Sequence, residues 1–127
     1  MKFRCTCDKV IRDQTDSLTY KAHYISDQDW HDSYELISEK ILEFMKAIDQ
    51  GKEKEWIAEF YNTKDTDWPS RKTVIEDIQT NFRMELEKTI YQCEDCGRLY
   101  IETEGSDYFQ KFKLDEHENK TVLKGKK

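Results

Sequence analysis

Tyr91-Gln92-Cys93-Glu94-Asp95-Cys96-Gly97-Arg98-Leu99-Tyr100 is the stretch that decides the fold. Two cysteines with two residues between them let one tight turn aim two thiolates at one ion. Gly97 follows the second cysteine, where a backbone of positive φ can close such a turn. Tyr91 and Leu99 flank the turn with strand-type residues. Ile90-Tyr91-Gln92 leads in and Leu99-Tyr100-Ile101 leads out, so the spacing predicts a hairpin with a cysteine-bearing tip.

A structural metal site takes four ligands, often all thiolates. The chain holds four cysteines, and the other two stand together as Cys5-Thr6-Cys7. That second pair is assigned because four ligands are needed and no better pair exists. The expected site is therefore Cys5, Cys7, Cys93 and Cys96 around Zn2+. Four thiolates saturate the ion, so the site is expected to be closed and structural. Other readings of the same cysteines are four free buried thiols, a disulfide between the pairs, and a redox-active Cys93/Cys96 pair. The last calls for a helix after the second cysteine, whereas β-type residues follow here.

The pattern Tyr-x-Cys-x-x-Cys-Gly-x-Leu-Tyr, from Tyr91 to Tyr100, resembles one knuckle of a zinc ribbon. The other half departs from it. Cys5 and Cys7 have one intervening residue, Asp8 stands where a knuckle usually has Gly, and 85 residues separate Cys7 from Cys93. The resemblance implies a split ribbon with helices inserted between its halves. A chain that begins Cys-x-Cys and ends Cys-x-x-Cys-Gly is also similar to small bacterial proteins of uncharacterised family.

The rest of the chain fits an α+β fold: a small antiparallel sheet from N-terminal and C-terminal strands, with about three helices between. Lys2 to Cys5 reads as a first strand. Asp13 to Ser17 is turn-like, and Leu18, Tyr20, Ala22 and Tyr24 alternate as one face of a half-buried strand. Trp30, Tyr34, Ile37, Ile41, Phe44, Met45 and Ile48 make one apolar helical stripe, capped by Ser26 or Asp27 and stopped at Gly51. A second helix covers Lys52 to Tyr61 and buries Trp56, Ile57 and Phe60. A third, capped by Asp67 or Ser70, buries Val74, Ile75, Ile78, Phe82 and Leu86. Gly105-Ser106 marks a turn, and Tyr108 to Leu114 a last strand with Tyr108, Gln110, Phe112 and Leu114 on one face. The expected organisation is one metal-stapled domain over 1–114 and a disordered tail over 115–127.

Composition limits the function. Of 127 residues, 36% are hydrophobic and 38% charged. Such a chain builds a modest core, for which a metal staple contributes most. The net charge of −6 disfavours tight phosphate binding by the chain as a whole and steers it toward basic partners. No apolar run is long enough to span a bilayer, and the N-terminus has no signal-peptide core, so the expected compartment is the cytoplasm.

No Gly-rich phosphate loop, GxSxG turn or HExxH helix is present, and nothing argues for catalysis. His31 and Glu35 share a helix face and read as a solvated surface pair. His23 lies in a strand and His117 in the tail. Asp27 to Asp49 holds seven acids against Lys40 and Lys46. Glu35, Glu39 and Glu43 follow at steps of four and stack like charges on one face, an arrangement that costs a helix a few tenths of a kcal/mol per pair, and Asp32 joins them as a candidate docking residue. A solvated face is the plain account. A docking surface for a basic protein, anchored by Trp30, Trp56 and Trp68, is the sharper one. In size, charge and lack of a catalytic motif the chain resembles immunity proteins that neutralise a bacterial toxin. The alternative is a nucleic-acid-associated zinc ribbon using Lys2, Arg4, Lys9, Arg12 and Arg98, with nucleic acid ranked below protein as partner.

Overall fold

The computed structural model describes residues 1–103, 108–116 and 118–127, so the expected Gly105-Ser106 turn and His117 lie outside the described residues. The fold is α+β, with three helices and two antiparallel sheets. The chain divides into two compact units, Met1–Tyr24 with Lys88–Lys127, and Ile25–Glu87.

The first unit holds the strands. β1 (Lys2–Arg4) pairs with β2 (Val10–Arg12), setting Phe3 opposite Ile11. β3 (Lys21–Tyr24), β4 (Lys88–Gln92), β5 (Leu99–Glu102) and β6 (Phe109–Phe112) form the second sheet in that order. The first strand thus pairs with a neighbour three residues long, too short to show a period in sequence, and not with the C-terminal strands. The core here is Cys5, Ile11, Tyr91, Cys93 and Tyr100, with Phe3, Tyr20, Cys96 and Phe109 against it. Phe3 meets the rings of Tyr91 and Tyr100 edge-on, at 5.5 and 5.0 Å. Aromatic rings supply most of this small core.

The last strand turns the other way from its expected face. Phe109 packs on the core, while Tyr108 and Phe112 are exposed. Aromatics stand on both faces of this strand, so its pattern alone does not choose between them. Pairing Phe109 with Glu102, and Lys111 with Tyr100, does choose.

The segment after Leu114, expected to lack structure, meets the sheet. Gln92 is fully buried. Its side-chain amide donates to the carbonyls of Gly97, at 3.2 Å, and Asn119, at 3.1 Å, and its oxygen accepts from the Val122 N–H at 3.0 Å.

The second unit is α1 (Asp27–Asp49), α2 (Glu53–Tyr61) and α3 (Arg71–Leu86). Ser26 caps α1 by position, but its hydroxyl donates to the Asp29 carboxylate and accepts from no helix N–H. Gly51 takes φ of 70° just past the end of α1. Ser70 caps α3 and accepts from the Thr73 N–H at 3.1 Å. The core is Phe44, Ile57, Val74 and Ile78, with Ile37, Ile41, Ile48, Trp56, Phe60 and Phe82 around it. Trp30, Tyr34 and Met45 belong to the expected stripe yet are more than half exposed. Tyr34 and Met45 sit on one margin of a long helix, whose buried line runs through Ser33, Ile37, Ile41, Phe44 and Ile48, and Trp30 lies in the first turn, before that line begins. Among the described residues, no helix is long and apolar enough to cross a membrane.

Candidate metal centre

The two cysteine pairs sit on two turns of closely similar construction. In the first, the Cys5 N–H donates to the Lys9 carbonyl and the Asp8 N–H to the Cys5 carbonyl, at 2.8 and 2.9 Å. In the second, the Cys93 N–H donates to the Arg98 carbonyl and the Gly97 N–H to the Cys93 carbonyl, at 2.9 and 2.8 Å. Each turn is closed by a residue of positive φ, 75° at Asp8 and 79° at Gly97. Asp8 therefore does the work of the expected glycine, because a short polar side chain tolerates the left-handed region. The first turn is one residue shorter, which accounts for Cys-x-Cys in place of Cys-x-x-Cys.

The turns bring all four sulfurs together, within 4.8 Å of one another. Cys5 Sγ lies 3.5 Å from Cys96 Sγ, and Cys7 Sγ 3.5 Å from Cys93 Sγ. Both distances far exceed a disulfide bond of about 2.05 Å, and the four cysteines are free thiols. A tetrahedron with metal–sulfur bonds of about 2.3 Å sets its sulfurs about 3.8 Å apart. The cluster needs only a small adjustment to hold such an ion, and its donors are all soft sulfur. Cys5 and Cys93 are buried, Cys96 half-buried and Cys7 exposed.

Electrostatics differ from one thiol to the next. Burial pushes the Cys5 thiol up, but the Cys7 backbone, the Tyr100 hydroxyl and Cys96 outweigh it and bring the thiol down to about 6. At Cys93 burial wins and pushes the thiol up to about 12. Cys96 is raised by burial as well. Neighbouring thiols cannot all ionise in one another's company, whereas a bound cation deprotonates them together. Around them, Tyr100 Oη accepts from the Thr6 N–H at 3.2 Å. Arg98 donates to Thr6 Oγ1 and approaches Cys96 Sγ at 3.7 Å. Lys9 reaches Asp95 at 4.0 Å, a weak exposed link between the two turns.

The remaining candidates lie on the helical unit. Asp32, Glu35 and Glu39 are exposed on α1, and Glu35 meets His31 at 3.2 Å. Glu43 accepts from the Trp56 indole at 3.1 Å and pairs with Lys40 at 3.4 Å. Trp56 itself is half-buried, stacked on Phe60 and tilted against Phe44. Trp30 is 58% exposed and Trp68 55%. Of the expected anchors, these two stand clear of the core. Sequence reasoning missed Gln92, which gives no sign in the sequence beyond a polar residue in a strand, and it took Asp8 as a departure from the knuckle.

Residues 1–119 match the model of a family described as a domain of unknown function, DUF8617. No curated protein and no solved structure matches the chain.

Proposed function

The chain belongs to the DUF8617 family, which carries no function with it, and we propose from the site alone that it is a non-catalytic, zinc-stabilised binding protein. The observation that carries this reading is the convergence of four thiols and, among the described residues, no other ligand. Four thiolates fill the coordination of zinc and leave no position for water or substrate. The ion then works by joining the two turns, a contribution on the order of 10 kcal/mol in small zinc folds. Soft sulfur donors favour zinc over hard cations, and four free thiols fit a reducing compartment such as the cytoplasm.

Function then falls to the surface. The helical unit carries 16 acids against 8 bases. Among the described residues, Asp32 and Glu39 have no cation in ion-pair range. Exposed Trp30 on the same helix offers a large apolar anchor. This face fits a basic protein, and a cationic bacterial toxin domain covered by it, as an immunity protein covers its toxin, is the partner class we propose.

The test has two arms. Elemental analysis of the purified protein should give about one zinc per chain, and less than about half an equivalent, with thiols oxidised in pairs, removes the metal reading. Immobilised protein should recover one basic protein at unit stoichiometry from the source cell. Asp32→Lys with Glu39→Lys should abolish that recovery without changing the zinc content. Recovery that ignores the charge reversal removes the acidic face as the binding surface.

A further inference from the structure

The two units differ in charge. Ile25–Glu87 carries 16 acids against 8 bases, while Met1–Tyr24 with Lys88–Lys127 carries 11 acids against 13 bases. Two stretches carry the basic excess, Lys120 to Lys127 and the first hairpin. The hairpin register sets Lys2 opposite Arg12 and Arg4 opposite Val10. The period of two places these four residues on one face, and Phe3 and Ile11 on the other. Phe3 and Ile11 join the core, so Lys2, Arg4 and Arg12 point outward, and all three are exposed. Together with Phe3 and Val10 they line a shallow depression of ≈ 340 Å³.

Stability gives no reason for this arrangement. Like charges directly opposite on paired strands are destabilising, and Lys2 faces Arg12. In the same unit Lys21 pairs with Asp13 and Lys9 with Asp95, and Arg98 is held by Thr6. Among the described residues, no carboxylate lies in ion-pair range of Lys2, Arg4 or Arg12. Arg4 spends one N–H on the Asp8 carbonyl, at 3.3 Å, and keeps the rest. A row of anions laid across the hairpin would relieve the repulsion. Residues two apart on a strand stand about 6.7 Å from each other, close to the interval between neighbouring phosphates of an extended nucleic-acid strand.

We propose that the outer face of the first hairpin binds the phosphate backbone of a single-stranded nucleic acid through Lys2, Arg4 and Arg12. This goes beyond the protein-binding reading and does not depend on it, since it uses the other unit and the opposite charge. The contacts are to phosphate, so binding is weak, insensitive to base sequence and strongly dependent on salt.

Fluorescence anisotropy of a labelled single-stranded RNA of about 20 nucleotides, titrated with the zinc-loaded full chain, reads the proposal. Three phosphate contacts give a log–log salt slope of about −2, so affinity should fall about 15-fold between about 50 and 200 mM KCl. Arg4→Gln with Arg12→Gln should weaken binding about tenfold or more, and Lys54→Gln with Lys72→Gln on the helical unit should leave it unchanged. Loss of Arg12 removes the repulsion with Lys2, so the melting temperature should hold or rise, and Lys2→Gln repeats the test from the other side of the pair. No saturable binding at the lower salt overturns the proposal. So does an equal loss in the helical control, or displacement by polyglutamate as effective as by unlabelled RNA, which would point to an acidic protein as the occupant.

Discussion

At the scale of single residues, the metal centre rests on two left-handed backbones with different side chains. Gly97 has φ of 79°, and a Cβ there would stand 2.3 Å from a Leu114 methyl and 3.1 Å from Lys120 Cγ. Gly97→Ala is therefore strained by both backbone and neighbour, and should cost about 2 kcal/mol in thermal or denaturant unfolding, with weaker zinc retention against a chelator. Asp8 takes the same conformation at its own turn. Asp8→Gly should change stability by less than about 0.5 kcal/mol, since relief of strain and gain of unfolded-chain freedom oppose each other. If both variants behave alike, the two turns are not equivalent closures. The second turn was legible in sequence because a glycine announced it. The first was only half legible, because an aspartate in left-handed conformation leaves no mark that distinguishes it from an ordinary surface acid.

Elements show the same division. The helices were readable because their apolar residues repeat over many turns, and the cap at Ser70 and the stop at Gly51 lie where their chemistry demands. Short strands carry less. β2 has three residues and no period to find, and β6 has aromatics on both faces, so pairing and not pattern sets its register. The segment beyond Leu114 was opaque for another reason. Its anchor is Gln92 on β4, whose amide holds the Asn119 carbonyl and Val122 N–H. Gln92→Leu keeps the volume but strands those backbone groups, at a cost of about 1–3 kcal/mol. We expect trypsin to cut the variant after Lys120 and Lys124 much faster than the parent, with the melting temperature lowered. Unchanged cleavage kinetics would show that the segment is held by something other than this amide.

For the whole molecule, each unit has its own core, and the four-cysteine cluster belongs to one of them. All three Trp lie in the helical unit, while Tyr20, Tyr24, Tyr91 and Tyr100 lie in the other. Removing zinc with a chelator should therefore abolish amide-exchange protection in β1, β4 and β5 while leaving tryptophan emission and most of the helical circular dichroism in place. Loss of both signals in one step would falsify independent stability of the helices. The α+β class and the four-cysteine cluster were both legible in sequence, since ligand chemistry and helical period are local. Which strand pairs with which was not, because partners far apart in the chain leave no local trace. One rung of the second sheet has a further consequence. Tyr24 and Lys88 face each other across β3 and β4, about 5 Å apart, and the whole helical unit departs from one and returns to the other. In construction it is a hairpin loop grown to three helices. A two-residue turn spans the same gap, so the unit could be excised to leave a miniprotein that keeps the four cysteines, or exchanged at that rung for another insert without disturbing the cysteine turns.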